Sequence, residues 1–462
     1  MADFIRKSRG SSSPGNDNGK TAKSFATSFG FTQGRRTITR RMFTAGALAL
    51  ASIAEAHARE QACSYAGRLR NARPLVKRSV NLPDRTYSTY PNVNGFLSDG
   101  RLVVAAAADG GRSVKYLAVE IADGARPEQI AEIRGARMYF SVSKNGVLAC
   151  STVHGVKAVD LARGGRTILD WTDPATLKAR DTAASLRYNA DVDVSADGAQ
   201  VVATRVTYGA NRRVIDSRVV VLDVATGEAR TIFETPGDQQ EAFPLDHAHF
   251  SPHDPGWLCF CDASPRSLQR MWVWHPRLAY PARPLVDQRT APKQLLFTHE
   301  RALFDRPALL TVAHGGSSGT PRGLYEVPFS GAPARLVSES NRDLHCNASR
   351  DGRWYVVSLQ GAAIGGQEGA VLDLCPRPGG AHDPDWLRSQ KGFSYSDIVL
   401  VDPVSGRRAF LGQGTNANAA QPYEVQPAIS PDGGWVVIKD ARRPNVLALE
   451  IDQTALRDFL AG

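Results

Sequence analysis

Val194-Ser195-Ala196-Asp197-Gly198, Ala348-Ser349-Arg350-Asp351-Gly352 and Ile429-Ser430-Pro431-Asp432-Gly433 are three copies of one phrase. Each follows a short apolar run and leads into another, such as Trp354-Tyr355-Val356-Val357 or Trp435-Val436-Val437-Ile438. An Asp-Gly pair between two such runs is a tight-turn signal, because glycine supplies the positive φ that the turn needs. Looser copies stand at Leu97-Ser98-Asp99-Gly100, Val142-Ser143-Lys144-Asn145-Gly146, Phe250-Ser251-Pro252-His253-Asp254 and Leu303-Phe304-Asp305. Many units add a third strand ending in an acidic turn, as in Val220-Val221-Leu222-Asp223 through Gly227. The turn serine, replaced by leucine at 303, falls at 143, 195, 251, 303, 349 and 430, with spacings of 52, 56, 52, 46 and 81. A four-stranded unit recurring every 50 residues or so is the signature of a propeller blade, at about 40–50 residues per repeat. The last gap is long because residues 362–397, rich in Gly, Pro and Asp, are expected to form an insertion. With the copy near 97, the sequence predicts an all-β fold, a seven-bladed β-propeller over residues 59–462.

The first 58 residues read differently. Residues 1–38 are polar and rich in Ser, Gly, Asn and Lys, too poor in apolar groups to form a core, and are expected to be disordered. Then come Arg40-Arg41, the short apolar run Ala45–Ala54 and Ala56-His57-Ala58. Twin arginines before a weakly apolar stretch and an Ala-x-Ala site form the pattern of a Tat export signal. The run is too short to span a bilayer stably. The expected location is therefore periplasmic or secreted. Much of the net charge of +10 lies in the first 80 residues. It reads as targeting chemistry, and no basic reading element for nucleic acid stands out. The expected partner is an acidic substrate such as a uronate sugar, met by individual basic side chains, since residues 81–462 carry no net positive charge. Cysteines at 63, 150, 259, 261, 346 and 375 form no Cys-x-x-Cys pair, so a zinc ribbon is not expected. Buried, unpaired thiols are the simpler reading.

The repeat also supplies a register. Equivalent positions in the blades of a propeller converge on one axis. Four residues before each turn serine stand Tyr139, Asp191, His247, His299, His345 and Gln426. Three consecutive units thus offer histidine from one place on the presumed innermost strand, in a chain with only ten. The plainer alternative is a set of polar residues lining a wet channel.

The residues around this register resemble the oligogalacturonate lyase family, whose propellers are related in architecture to the TolB-type repeat. The resemblance covers most of residues 240–450. It is carried by His247-Ala248-His249-Phe250-Ser251-Pro252-His253-Asp254-Pro255 with Phe260-Cys261, by Arg270-Met271-Trp272, by Thr298-His299-Glu300, by Leu344-His345 with Asn347 and Asp351-Gly352, and by Gln421-Pro422-Tyr423-Glu424-Val425-Gln426-Pro427. It implies His299 as catalytic base and Arg270 as a catalytic, substrate-facing arginine. It also implies His345, Gln421, Glu424 and Gln426 as metal ligands, and His247 and His249, two apart on one strand face, would be further ligands or substrate contacts. Two departures stand out. Glu424 and Gln426 replace histidines of the family pattern, and Asp262-Ala263-Ser264-Pro265 replaces a His-Glu-Gly-Pro run. The expected cofactor is a divalent metal, Mn²⁺ or else Ca²⁺, since an oxygen-rich set suits a hard ion.

These residue types match the chemistry of an oligouronide lyase. β-Elimination removes the weakly acidic C5 proton of a uronate and expels the 4-linked oxygen. The neighbouring carboxylate must be neutralised, by a metal or by the planar fork of an arginine such as Arg270. A largely neutral imidazole such as His299 can take the proton. Each residue also has a structural alternative. Arg270 and His299-Glu300 could be polar strand ends, His345 a satisfied inner-strand histidine, and Gln421–Gln426 loop polarity. The competing functional reading is a non-catalytic TolB-like propeller that binds a carbohydrate or an envelope protein partner.

Overall fold

The repeated phrase folds as its chemistry requires. Ser195 Oγ donates to Asp197 Oδ1 at 2.6 Å and accepts the amide of Gln200 at 2.9 Å, while Asp197 Oδ1 accepts the amide of Ala199 at 3.0 Å. Gly198 then turns with φ at 75°. The same bonds recur at Ser349-Asp351 and Ser430-Asp432, with Gly352 and Gly433 at φ 67° and 70°. Each turn joins the first strand of a blade to the second.

The computed structural model describes residues 75–179, 185–209, 213–235, 242–264, 267–278, 282–291, 294–314, 321–340, 343–359, 393–417, 424–440 and 445–462. Among these, the strands form seven sheets, six of four strands and one of three, all with antiparallel neighbours. The fold is the expected seven-bladed β-propeller. Blade 1 comprises Leu102–Ala108, Ser113–Val119 and Glu128–Arg134, and its inner edge is made by bridges from Tyr87 to Ala105 and from Phe96 to Leu102. Blades 2 to 7 begin with the strands Ala136–Val142, Ser185–Val194, Leu245–Phe250, Leu296–Ala302, Asp343–Ala348 and Ala428–Ile429. The ring closes on itself. Val76–Asn81 from the start of the described chain pairs with Asn445–Ile451 and becomes the outer strand of blade 7. Arg78 fastens this strand to Glu450 at 2.6 Å.

The core lies between blades. Val80, Leu82, Phe96, Leu102 and Val104 pack with Val437, Val446 and Ala448 to seal the last blade against the first. Val147, Ala149 and Val156 pack in the same way with Tyr188, Val192 and Val201. Each valine, leucine or phenylalanine among these contributes about 1.5–3 kcal/mol when fully buried.

The export signal expected over residues 1–58 and most of the insertion expected over 362–397 lie outside the described residues. The third strand of blade 6 begins at Phe393, so residues 393–397 belong to the sheet. Cys150, Cys259, Cys261 and Cys346 are buried free thiols, and burial pushes Cys150 up to about 12. No described helix is long and apolar enough to cross a membrane.

Candidate active site at the inner-strand bulges

Each first strand of blades 2 to 6 departs from regular pairing at the register position. The shifts fall between Ala136 and Phe140, Tyr188 and Val192, Asp246 and His249, Thr298 and Arg301, and Asp343 and Cys346. Tyr139, Asp191, His247, His299 and His345 sit inside these irregularities. A bulge bends its strand and re-aims a side chain. His247 and His299 carry φ values of 54° and 53°, two of four positive-φ non-glycine residues among those described. A left-handed histidine within a strand is costly and points to a functional constraint.

The bulge side chains converge. Tyr90, on the inner segment of blade 1, lies with its ring centroid 4.7 Å from His247, 5.5 Å from Tyr139 and 6.1 Å from His345. Burial, helped by Asp191 and Glu300, pushes its phenol well above the usual range, so it stays neutral.

Blades 3, 4 and 5 supply one half of the site. His247 Nδ1 meets Glu300 Oε1 at 3.2 Å and its Nε2 lies 3.4 Å from Asp191 Oδ2. Burial works against the imidazolium, but the bond to Glu300 and the charges of Asp191, Glu300 and Asp246 raise His247 to about 9. Arg270 Nε donates to Glu300 Oε2 at 3.1 Å, and Nη1 reaches the Asp262 carbonyl at 3.4 Å. Among the described residues Arg270 Nη2 donates to nothing. Burial would raise Glu300, yet Arg270 and His247 hold it well below the usual carboxylate range. Asp191 is raised to about 7 by burial and by Asp246. Two groups of possible ligand atoms, His247-Cys261-Glu300 and Asp191-Asp246-His247, each lie within 4.8 Å.

Blades 5, 6 and 7 supply the other half. The rings of His299 and His345 lie 4.0 Å apart at 34°. His299 Nδ1 is bonded to the Leu344 carbonyl. A carbonyl only accepts, so Nδ1 carries the proton and Nε2 is the basic nitrogen. His345 Nε2 stands 3.7 Å from Glu424 Oε2 and 3.5 Å from Gln426 Nε2. Gln426 Nε2 also donates to Glu424 Oε2 at 3.3 Å. On the other side of the amide, Gln426 Oε1 accepts from Lys439 Nζ.

The site residues expected from sequence are thus brought together unequally. Arg270, His247, His299, His345, Glu424 and Gln426 share the bulge region, and Gln421 lies outside the described residues. His249 is fully buried, with Nδ1 donating to the His247 carbonyl at 2.7 Å and Nε2 accepting the Ala302 amide at 3.1 Å. Both ring nitrogens being committed to backbone, it braces blade 4 against blade 5. Burial, opposed by its bond to the His247 carbonyl, lowers it to about 4 and keeps the ring neutral. The ligand set expected at His345, Glu424 and Gln426 forms a hydrogen-bonded cluster. Gln426 turns a donor toward it, and a metal ligand needs a lone pair.

With this geometry in place, the chain can be set beside known proteins. Its fold is similar to that of oligogalacturonate lyases. One, solved in complex with manganese, matches with a TM-score of 0.60 over 80% of this chain and 92% of its own, at 16% identity. Another, from Vibrio parahaemolyticus, matches with a TM-score of 0.59 over 81% and 93%, at 15% identity. No protein-family model and no curated protein matches the sequence. At such identity the likeness is one of fold.

Sequence reasoning missed three contributors. Tyr90 lies between the strands Val76–Asn81 and Leu102–Ala108 and has no repeat signal. Glu300 was visible in Thr298-His299-Glu300, but not its role in holding both Arg270 and His247. Lys439 follows the apolar Val436-Val437-Ile438 and looks like a solvated strand end, yet it is fully buried.

Proposed function

We propose that this protein is a lyase of acidic oligosaccharides, cleaving 4-linked uronates such as oligogalacturonate by β-elimination. The observation that carries the reading is the convergence of Arg270, His247, Glu300, His299 and His345 at bulges of neighbouring inner strands. Arg270 is held by Glu300 through Nε, which leaves Nη2 for a substrate carboxylate. Pairing there draws charge from the carboxylate and makes the C5 proton more acidic. His299, fixed as the Nδ1–H tautomer by Leu344, takes the C5 proton on Nε2. The C4–O bond then breaks, a C4–C5 double bond forms, the departing oxygen takes a proton from water, and His299 returns its own proton to solvent. His247, a cation held by Glu300 and Asp191, contacts the acidic sugar. His249 positions this wall through its two backbone bonds.

A divalent ion, Mn²⁺ or Ca²⁺, at His345, Gln421, Glu424 and Gln426 would require Gln426 to turn its amide and release Lys439. No step of the proposed reaction is routed through such an ion. The Arg40-Arg41 segment adds Tat export to the periplasm or beyond as part of the same proposal. The test is incubation of the purified protein with saturated and unsaturated oligogalacturonides, following absorbance of the new double bond. Absence of product from every uronate oligomer, with and without Mn²⁺, rejects the lyase. The altered Glu424–Gln426 pair favours one second reading, a carbohydrate-binding propeller without turnover. That reading predicts retained oligouronide binding in both wild type and His299→Ala, with no product from either.

A further inference from the structure

We infer that the Lys439 side chain stands in for a divalent ion at this site and keeps one from binding at His345, Glu424 and Gln426. The inference rests on the lyase reading for its catalytic consequence, but not for its binding consequence. Lys439 lies on the second strand of blade 7, Trp435–Asp440, with its side chain wholly buried. A buried ammonium is expensive unless partnered. Lys439 has its partners: Nζ donates to Gln426 Oε1 at 2.5 Å and lies 4.7 Å from the centroid of the Tyr139 ring. Burial lowers Lys439 to about 7, opposed by the charges of Glu424 and Asp191, so the side chain is an ammonium below neutral pH.

The consequence for Gln426 follows from donor and acceptor counting. Lysine only donates, so the amide oxygen must face Nζ and the amide nitrogen must face the other way. That nitrogen is the group presented to Glu424 and His345, at 3.3 and 3.5 Å. A hard cation requires oxygen donors, and the single side-chain oxygen of Gln426 faces Lys439 rather than Glu424 and His345. Below neutral pH an incoming dication would also meet the Lys439 ammonium one side chain away. The site therefore carries a covalently attached basic group where an ion would otherwise sit. Through Gln426, Lys439 orients a hydrogen-bond donor toward the bulge histidines, and so acts as a positioning residue.

Electron paramagnetic resonance of Mn²⁺ titrated into the full-length chain tests this. Wild type and Glu424→Gln should leave the free Mn²⁺ signal alike. Lys439→Met should remove one further equivalent of free Mn²⁺, and Glu424→Gln in that background should abolish the gain. A wild-type site that binds one Mn²⁺ and loses it on Glu424→Gln overturns the inference. So does a folded Lys439→Met protein that takes up no more Mn²⁺ than wild type. If Lys439→Met does not fold, the comparison of wild type with Glu424→Gln still decides. In the uronate assay, wild-type turnover should be unchanged by EDTA, and Lys439→Met should lose about 10²-fold or more in kcat. Loss of activity by chelation of wild type overturns the inference. A protein with no lyase activity but the expected Mn²⁺ pattern refutes the lyase reading and leaves the role of Lys439 standing.

Discussion

His299 combines two demands in one residue: an imidazole at the register position and a backbone φ of 53°. Alanine keeps the backbone cost and removes the ring, whereas glycine removes both. His299→Gly should therefore be more stable than His299→Ala by about 1 kcal/mol, the usual cost of a left-handed L-residue. Thermal melts of the two variants check the order. The acidic residues of blade 3 set a pH dependence. Burial raises Asp191 and Asp193 to about 7, above the ordinary carboxylate value of 3.8. Between those values the folded chain holds more protons than the unfolded one, so stability falls as pH rises. His247, lifted to about 9, stabilises fully below its ordinary 6.5 and loses that contribution as pH climbs through 9. Melting temperature should thus fall from pH 5 to pH 7. His249, lowered to about 4, works the other way up to its ordinary 6.5 and offsets one of the two aspartates, so Asp191→Asn should remove most of the slope below pH 6.5. A slope unchanged in Asp191→Asn would contradict the assignment.

At the scale of elements, the repeated turn is the most legible feature and the bulge the least. The turn was readable because serine, aspartate and glycine satisfy one another within five residues. Ser195, Asp197 and Gly198 need no distant partner to define it. A bulge is a property of two paired strands, and nothing local in Tyr-Phe or His-Glu announces it. The histidine register was therefore visible as a coincidence of spacing, while its cause was not. The turn glycines differ in what surrounds them. A Cβ on Gly198 would meet Val147 Cγ2 of blade 2 at 2.7 Å, whereas one on Gly433 would find Trp354 no nearer than 3.8 Å. Both positions have positive φ. Gly433→Ala should cost about 1 kcal/mol, and Gly198→Ala should cost more by the added clash, about 1–3 kcal/mol. Equal losses in chemical denaturation would show that blades 2 and 3 yield at that contact.

For the whole molecule, the ring depends on a strand distant in sequence. Val76–Asn81 pairs with Asn445–Ile451, and the seal between blades 7 and 1 includes Val80 and Leu82. A chain starting at residue 83 loses both, and exposes an unpaired edge to other molecules. It should melt lower and aggregate relative to a chain starting at residue 72, which keeps both. Size-exclusion chromatography with thermal melts separates these outcomes. The seven-blade count could be read from the spacing of turns. This closure could not, because Val-Lys-Arg-Ser-Val-Asn has no turn phrase and its partner lies at the far end of the chain. Lys439 was hidden for a related reason: only the closed ring places the second strand of blade 7 beside Tyr139 of blade 2. The central claim, that the converging bulges form a uronate lyase site, is tested most directly by double-bond absorbance on trigalacturonate. Wild type and His299→Ala should be compared at matched, calorimetrically measured substrate binding. The expected result is steady product from wild type and a rate lower by about 10²–10⁴-fold in His299→Ala with binding retained. Equal rates in the two proteins, or no product from wild type, would contradict the account.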